Sequence, residues 1–321
     1  MNNILEKIHI VWLQGQGCSG CTISLTNATN PNLIDVLTGF IPQVSGISLD
    51  FHPTIMAPWG KDAVNILKMA ERKDIDPFVL IVEGSIPNEE IAKRTGGFWC
   101  AVGEENGQLL TLNDWISRLS GKAAAIVAAG SCASYGGVRH GAPNPTGAKG
   151  VLDFLGRNWK SILGLPVICV PGCPVQGDHL LKTLGYAVLA VRGHLPLPEL
   201  DEHHRPKFIF SDLAHDICPR AGFYTSGRYS NEFGEPYCMS LLGCKGIITH
   251  CDVPKRGFVD GIGGCTTLGA PCIGCTEPEF PDKPFSPFLE KAPASAFASD
   301  ALKGFKGHIS AGLKRAYRRE I

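Results

Sequence analysis

The sequence predicts an α/β protein in which a doubly wound parallel sheet is followed by an irregular domain that binds metal. Three observations support this fold class. Continuous apolar runs alternate with stretches of helical periodicity over residues 1–190, as in parallel sheets covered by helices on both faces. Cysteine is abundant, with 13 residues in a chain of 321. Seven of them follow residue 190 among many Gly and Pro residues, so bound metal is expected to stabilise that region.

The predicted secondary structure begins with a buried strand over residues 7–14, which runs into a Gly-rich turn around Cys18. A helix is expected after this turn, ending before Leu37. Apolar runs then predict four further strands, at residues 47–51, 78–82, 123–129 and 167–170. Helical periodicity predicts helices at residues 63–72 and 110–119.

Chemically reactive residues follow four of the predicted strands. Cys18 and Cys21 come after the first strand, and Glu83 comes after the strand at residues 78–82. Cys132 and Cys173 come after the last two. Open α/β sheets bind their ligands beyond the carboxyl ends of the strands. The four loops are therefore expected to converge on one site at that edge.

The chain divides into three predicted regions. Residues 1–190 form the sheet domain, residues 191–285 form the metal-binding domain, and residues 286–321 form a tail. The tail is amphipathic over residues 296–319, where apolar side chains recur at helical spacing opposite basic ones. It is expected to pack on its own domain, to contact a partner chain or to lie on a membrane face.

Composition excludes some functions and constrains the cysteine chemistry. With 30 basic and 30 acidic side chains, the chain has no electrostatic basis for binding nucleic acid. It shows no signal peptide and no apolar stretch long enough to span a membrane, so a cytoplasmic location is expected. Thiols stay reduced in the cytosol, which favours bound metal over disulfides.

Twelve side chains group into three sets of four potential ligands. These are Cys18, Cys21, Cys132 and Cys173; His215, Cys218, Cys238 and Cys244; and Cys251, Cys265, Cys272 and Cys275. Cys100 and Cys169 remain, and both are expected to be buried apolar residues. Zinc accepts such sets in tetrahedral sites and stays an alternative. The first set comes from distant loops, however, and Cys173-Pro174 is similar to the end of ferredoxin motifs, so iron–sulfur clusters are favoured.

Nine segments of the chain resemble the small, electron-transferring subunit of [NiFe]-hydrogenases. In family order they are WLQGQGCSGC (residues 12–21), VEGSIP (82–87), GSCASYGG (130–137), PNPTGA (143–148), PGCP (171–174), HDICPR (215–220), YC (237–238), GCKG (243–246) and PCIGCTEP (271–278). The resemblance implies a flavodoxin-like domain followed by a cluster-binding domain. It also implies an obligate partner, the large subunit, which carries the NiFe centre.

The resemblance further implies how the ligands are shared among three clusters. A proximal [4Fe–4S] cluster would use the first set of cysteines, and a distal [4Fe–4S] cluster would use His215 with Cys218, Cys238 and Cys244. A medial cluster would use Cys251, Cys272 and Cys275. The chain would have no catalytic residue of its own for splitting H2. It would pass electrons from H2 oxidation to an acceptor, protein or quinone, that the sequence does not identify.

Three departures from the family pattern refine these expectations. Cys265 stands where a [3Fe–4S] medial site has proline, so a [4Fe–4S] medial cluster is predicted, or [3Fe–4S] if Cys265 does not bind iron. Gly20 and Gly137 occupy the positions of two extra cysteines in oxygen-tolerant relatives, which implies an ordinary proximal cubane. A twin-arginine signal and a membrane anchor are absent, which favours a cytosolic uptake or sensing branch of the family. The protein is expected to be cytoplasmic or peripheral at the membrane, and to assemble as a higher oligomer of heterodimers.

Some alternatives stay open at the level of sequence. Glu83 is either a solvated or backbone-bonded carboxylate, or an acid near the proximal cluster and the subunit interface with a role in proton transfer. His250 either donates to a cluster sulfur or faces solvent. For the whole chain, the alternatives are the small subunit of a regulatory H2 sensor, a quinone-reducing subunit related to complex I, and a zinc-stabilised interaction module.

Overall fold

The computed structural model describes residues 7–41 and 44–281 and is built around one parallel sheet. Its strands are β1 (Ile8–Gln14), β2 (Ile47–Phe51), β3 (Phe78–Glu83), β4 (Ala101–Glu105), β5 (Gln108–Thr111), β6 (Ala125–Ala129) and β7 (Ile168–Val170). Five of them form the sheet in the order β2-β1-β3-β6-β7, and each neighbouring pair is parallel. This is the flavodoxin-like strand order, so the predicted fold class is confirmed.

The strands read as continuous apolar runs because both faces of the sheet are buried. Successive side chains point to opposite faces of a strand. Leu13 and Leu80 accordingly pack in the core on one side, whereas Trp12 and Ile81 pack in the core on the other. All six residues of β3, the central strand, are buried. The loops after β1, β3, β6 and β7 therefore start from a rigid platform.

Helices connect the strands of the sheet and continue in the chain beyond its last strand. They are α1 (Gly20–Thr26), α2 (Leu33–Leu37), α3 (Gly60–Arg72), α4 (Glu89–Arg94), α5 (Leu112–Ser120), α6 (Gly130–Tyr135), α7 (Gly137–His140), α8 (Val151–Leu155), α9 (Gly177–Val191), α10 (Lys207–Phe210), α11 (Ala221–Thr225) and α12 (Val253–Arg256). A 3₁₀ helix spans Met239–Leu242. The two helices predicted from periodicity correspond to α3 and α5, displaced by at most three residues at their starts.

Two features of the secondary structure differ from the sequence-based expectation. The single helix expected before Leu37 is two helices, because Pro31 interrupts the segment and Asn32 caps α2 by accepting a hydrogen bond from the Asp35 N–H at 2.8 Å. The antiparallel hairpin of β4 and β5 was not predicted. Only one residue of β4 and β5 is buried, and the two strands lack apolar alternation, although Asn106-Gly107 is a typical hairpin turn.

The chain after α9 has only short elements, none longer than five residues up to residue 281. Buried Arg205 connects this region internally: it donates to Asp201 at 2.7 Å and to Glu277 at 2.9 Å. None of the helices in the described ranges is both long and apolar enough to cross a bilayer. The amphipathic tail predicted at residues 296–319 lies outside the described residues.

Candidate iron–sulfur ligand sites

The first predicted ligand set assembles at the carboxyl edge of the sheet. Cys18 and Cys21 lie in the β1–α1 segment, Cys132 lies in α6 directly after β6, and Cys173 follows β7. The Cys132 thiol interacts electrostatically with those of Cys18, Cys21 and Cys173. Strands far apart in sequence thus bring the four thiols together, as the loop positions predicted.

Glycines make room for these thiols. A Cβ atom at Gly130 would lie 2.4 Å from the Cys21 sulfur, and one at Gly137 would lie 2.7 Å from the Cys132 sulfur. Both glycines also have positive φ, of 85° and 54°, which disfavours any side chain there. At Gly20 a Cβ atom would be 3.1 Å from the Cys18 sulfur. Residues with side chains at these positions would displace the sulfurs.

Desolvation makes the thiols of Cys21, Cys132 and Cys173 poor acids in the absence of metal. It raises the pKa of Cys173 to about 11, and it raises the pKa values of Cys132 and Cys21 as well. The backbone N–H of Val175 opposes this effect at Cys21, whose sulfur it approaches at 3.5 Å. Because metals bind the thiolate form, metal uptake here must release protons. Four convergent thiols are a donor set suited to iron or zinc.

Glu83 ends β3 beside this set and is 3% exposed. Its Oε2 accepts hydrogen bonds from Trp12 Nε1 at 3.0 Å, Gln14 Nε2 at 2.8 Å and Thr22 Oγ1 at 2.5 Å. Its Oε1 accepts from the Thr22 N–H at 3.1 Å. The carboxylate is therefore neither solvated nor held by backbone alone. Four donors fix it close enough to Cys21 to act on that thiol electrostatically.

We expect Glu83→Gln to destabilise the protein, since an amide NH2 group would face donors that need an acceptor. An unsatisfied buried donor costs roughly 1–3 kcal/mol. The apparent melting temperature of the assembled complex should therefore fall relative to wild type. Glu104→Gln, which changes an exposed carboxylate of the β4–β5 hairpin, is the control and should leave it unchanged. Equal melting temperatures for both variants would contradict this account of Glu83.

The third predicted set lines a cavity of about 200 Å³ between the sheet domain and the following region. Cys251, Cys265, Cys272 and Cys275 all line it. Burial raises the pKa of Cys272 to about 12, and it also raises the pKa values of Cys251 and Cys275. Cys265 is the exposed member, yet its thiol interacts electrostatically with those of Cys251, Cys272 and Cys275. The structure thus brings the four together.

The remaining set surrounds Cys244. The Cys244 thiol interacts electrostatically with those of Cys238 and Cys218. The His215 backbone N–H donates to the Gly246 carbonyl at 3.0 Å, which places His215 beside the Cys244–Gly246 turn, and its ring packs edge-on to Tyr224 with centroids 4.6 Å apart. Histidine and three cysteines again meet in one region.

Arg220 fastens the loop that carries Cys238. Its Nη1 donates to the Glu235 carbonyl at 2.8 Å and to the Tyr237 carbonyl at 3.0 Å. Its Nε donates to the Thr266 carbonyl at 3.1 Å. One side chain therefore ties the Cys238 loop to the loop that holds Cys265.

Within residues 7–41 and 44–281, no three His, Cys, Asp or Glu side chains come close enough to hold a single metal ion. In the third set the thiols stand around a cavity instead. A polynuclear iron–sulfur cluster, whose iron and sulfide lie between its thiolates, fits that wider arrangement.

Cys100 and Cys169 lie outside the three sets. Cys169 is fully buried on β7 in the sheet core, and half-buried Cys100 packs against the same core. His250 is partly exposed, and its Nδ1 lies 3.4 Å from Glu277.

Three residues near the ligand sets were not singled out from the sequence. They are His179, Asp252 and Ser131. His179 of α9 lines the cavity of the third set, and its Nε2 lies 2.5 Å from Asp252 Oδ1. The hydroxyl of buried Ser131 donates to the Cys275 carbonyl. These contacts join residues more than 70 positions apart. No local pattern signals them.

Two protein-family models match this chain, one in each of its two parts. The family model of the NADH ubiquinone oxidoreductase 20 kDa subunit matches residues 18–187, and the model of the C-terminal region of the NiFe/NiFeSe hydrogenase small subunit matches residues 210–289. The periplasmic [NiFeSe] hydrogenase small subunit of Desulfomicrobium baculatum is 40% identical over 86% of this chain and 85% of its own length. A periplasmic [NiFe] hydrogenase small subunit of Nitratidesulfovibrio vulgaris is 36% identical over 88% of this chain and 81% of its own.

Solved structures give the same result. A chain of the actinobacterial-type NiFe-hydrogenase from Ralstonia eutropha H16 superposes with a TM-score of 0.87 at 42% identity, covering 98% of this chain and 91% of that one. A chain of the Desulfomicrobium baculatum [NiFeSe]-hydrogenase superposes with a TM-score of 0.78 at 37% identity, covering 89% of this chain and 99% of that one.

Proposed function

The chain belongs to the family of NiFe and NiFeSe hydrogenase small subunits, and we propose that it relays electrons from H2 oxidation to an external acceptor. In this family the catalytic site lies on the large subunit, so the chain is one part of an oxidoreductase complex. The proposal assigns it three iron–sulfur clusters. When bound, these clusters take up and release single electrons.

The chain's own residues hold the clusters in the proposed arrangement. Residues 1–190 carry the proximal [4Fe–4S] cluster and residues 191–285 carry the other two. The proximal ligands are Cys18, Cys21, Cys132 and Cys173; the distal ligands are His215, Cys218, Cys238 and Cys244. Imidazole ligation tends to raise a cluster's potential, which suits His215 to the exit end of the relay.

The medial cluster is proposed to be [4Fe–4S], held by Cys251, Cys265, Cys272 and Cys275. Support comes from the Cys265 thiol, which interacts electrostatically with the other three and lines the same cavity. A fourth thiolate can hold a fourth iron.

One observation carries this proposal: the three ligand sets adjoin one another in series. Cys173 of the proximal set lines the cavity of the medial set. The Cys272 N–H of the medial set donates to the Cys244 sulfur of the distal set at 3.2 Å. A chain of adjacent sites is what electron transfer between a buried catalytic centre and an outside acceptor requires.

The proposal predicts that the complex with its large subunit, purified without oxygen, is brown and rich in iron and acid-labile sulfide. EPR of samples reduced stepwise should resolve three interacting centres, and H2 should reduce an artificial dye through them. Metal analysis is the decisive measurement. Stoichiometric zinc with negligible iron would contradict the proposal and would instead indicate a zinc-stabilised interaction module.

A further inference from the structure

A chain of three aromatic rings connects two ligands of the proposed distal cluster. The His215 imidazole packs edge-on against Tyr224, with ring centroids 4.6 Å apart and an interplanar angle of 78°. Tyr224 in turn packs edge-on against Tyr229, at 5.9 Å and 82°. Tyr229 forms a parallel bridge with Cys238. The chain therefore begins at one ligand of the distal set and ends at another.

Hydrogen bonds fasten Tyr224 and Tyr229 to the backbone of this region. The Tyr229 hydroxyl donates to the Tyr224 carbonyl at 3.4 Å. The backbone on either side of Tyr229 is joined to Cys238: the Cys238 N–H donates to the Arg228 carbonyl at 3.2 Å, and the Cys238 carbonyl accepts from the Ser230 N–H at 2.8 Å. The Tyr224 ring is thus held in a fixed place relative to the distal set.

The His215 backbone is fixed without the help of Tyr224, but its imidazole is not. The His215 N–H donates to the Gly246 carbonyl at 3.0 Å, and the His215 carbonyl accepts from the Cys218 N–H at 3.2 Å. Rotation about χ1 and χ2 still decides where the imidazole points. Aromatic pairs favour edge-on and offset arrangements over others, so the contact with Tyr224 restricts that rotation.

We propose that Tyr224 is a positioning residue that holds the His215 imidazole in the orientation in which it binds iron of the distal cluster. This inference rests on the proposed function. Contacts outside the coordination shell commonly orient metal-bound imidazoles. An imidazole has to present one nitrogen in the plane of its ring, whereas a thiolate has no ring to orient. Loss of the Tyr224 ring should therefore weaken the bond from His215 to iron and leave the bonds from the three cysteines in place.

Three variants of the full complex with its large subunit test this role. Tyr224→Leu removes the ring, and Tyr224→Phe keeps it. Tyr186→Leu is the matched control, because Tyr186 is also partly buried and its ring stacks on Phe208 instead, at 5.2 Å. The readout is the nitrogen hyperfine coupling of the reduced distal cluster, measured by pulsed EPR on complex that carries ¹⁵N-labelled histidine. Iron per complex is measured on the same samples.

We expect Tyr224→Leu to weaken or abolish the histidine coupling and to release up to about one iron atom per complex. Tyr224→Phe and Tyr186→Leu should stay close to wild type. Wild-type coupling and iron content in Tyr224→Leu, or clusters without histidine coupling in the wild-type complex, would overturn the role of Tyr224 and leave the relay intact. A wild-type complex without iron–sulfur signals would instead refute the proposed function.

His215→Cys separates positioning of the imidazole from general support of the fold. Since a cysteine ligand has no ring to orient, adding Tyr224→Leu to His215→Cys should cause no further loss of iron. If Tyr224→Leu alone does not assemble, assembly of this double variant supports the positioning role. Further loss of iron or failed assembly in the double variant, with His215→Cys itself intact, would overturn it. If His215→Cys does not hold its distal cluster, the histidine coupling of the Tyr224 variants decides.

Discussion

Replacement of Cys173 by serine is expected to remove about a third of the iron from the complex, because one of three proposed clusters would be lost. It should also reduce H2-dependent dye reduction to background. Cys173 belongs to the set at the sheet edge and also lines the cavity of the medial set. A serine hydroxyl is a much weaker acid than a thiol and does not match a thiolate as an iron ligand. Loss of the proximal cluster would disconnect the large subunit's active site from the rest of the relay.

Iron and sulfide per complex, together with EPR of the H2-reduced sample, measure this effect. Cys100→Ser is the control, since Cys100 lies outside the three ligand sets and its thiol donates to the Gln14 carbonyl at 3.7 Å. That variant should retain its iron and its activity. A Cys173→Ser complex with the full iron content and three unchanged EPR signals would show that Cys173 is not a ligand.

The sheet was predictable because its signal is local. Strands such as Phe78–Glu83 are buried on both faces, so the amino-acid sequence records them as unbroken apolar runs, and parallel strands place their carboxyl ends at one edge. The cysteines of that edge could therefore be grouped from the sequence. The hairpin of β4 and β5 could not be recognised by apolar pattern, because strands with a single buried residue carry no such pattern.

The contacts between the ligand sets were not predictable, because they depend on how two regions pack. Ser131 and Cys275 are 144 positions apart, and His179 and Asp252 are 73 apart. Neither pair belongs to a repeated pattern or a short motif. For Glu83 the sequence left two alternatives open, a solvated or backbone-bonded carboxylate and an acid near the proximal cluster and the subunit interface. Its four donors come from β1 and α1, and their convergence on one carboxylate follows from the pairing of β1 with β3.

Cys265 gives the sharpest test of the medial assignment. Removing its thiol by Cys265→Ala is expected to release about one iron atom per complex and to leave a [3Fe–4S] cluster on Cys251, Cys272 and Cys275. Such a cluster is paramagnetic when oxidised, whereas an ordinary [4Fe–4S] cluster in its oxidised state is not. A strong EPR signal should therefore appear in the oxidised variant and be missing from the oxidised wild-type complex.

Leu268→Ala is the control for this substitution, because Leu268 is an exposed residue of the same loop without ligand chemistry. It should show neither the iron loss nor the new signal. Cys265 is exposed, whereas the other three thiols of the set are more enclosed. Three enclosed thiolates suffice for a [3Fe–4S] cluster, so the wild-type protein has to be tested for that signal as well. If the wild-type complex already gives the [3Fe–4S] signal and Cys265→Ala leaves it unchanged, Cys265 does not bind iron. The medial cluster would then be [3Fe–4S], with a higher reduction potential than the [4Fe–4S] cluster proposed for four cysteine ligands.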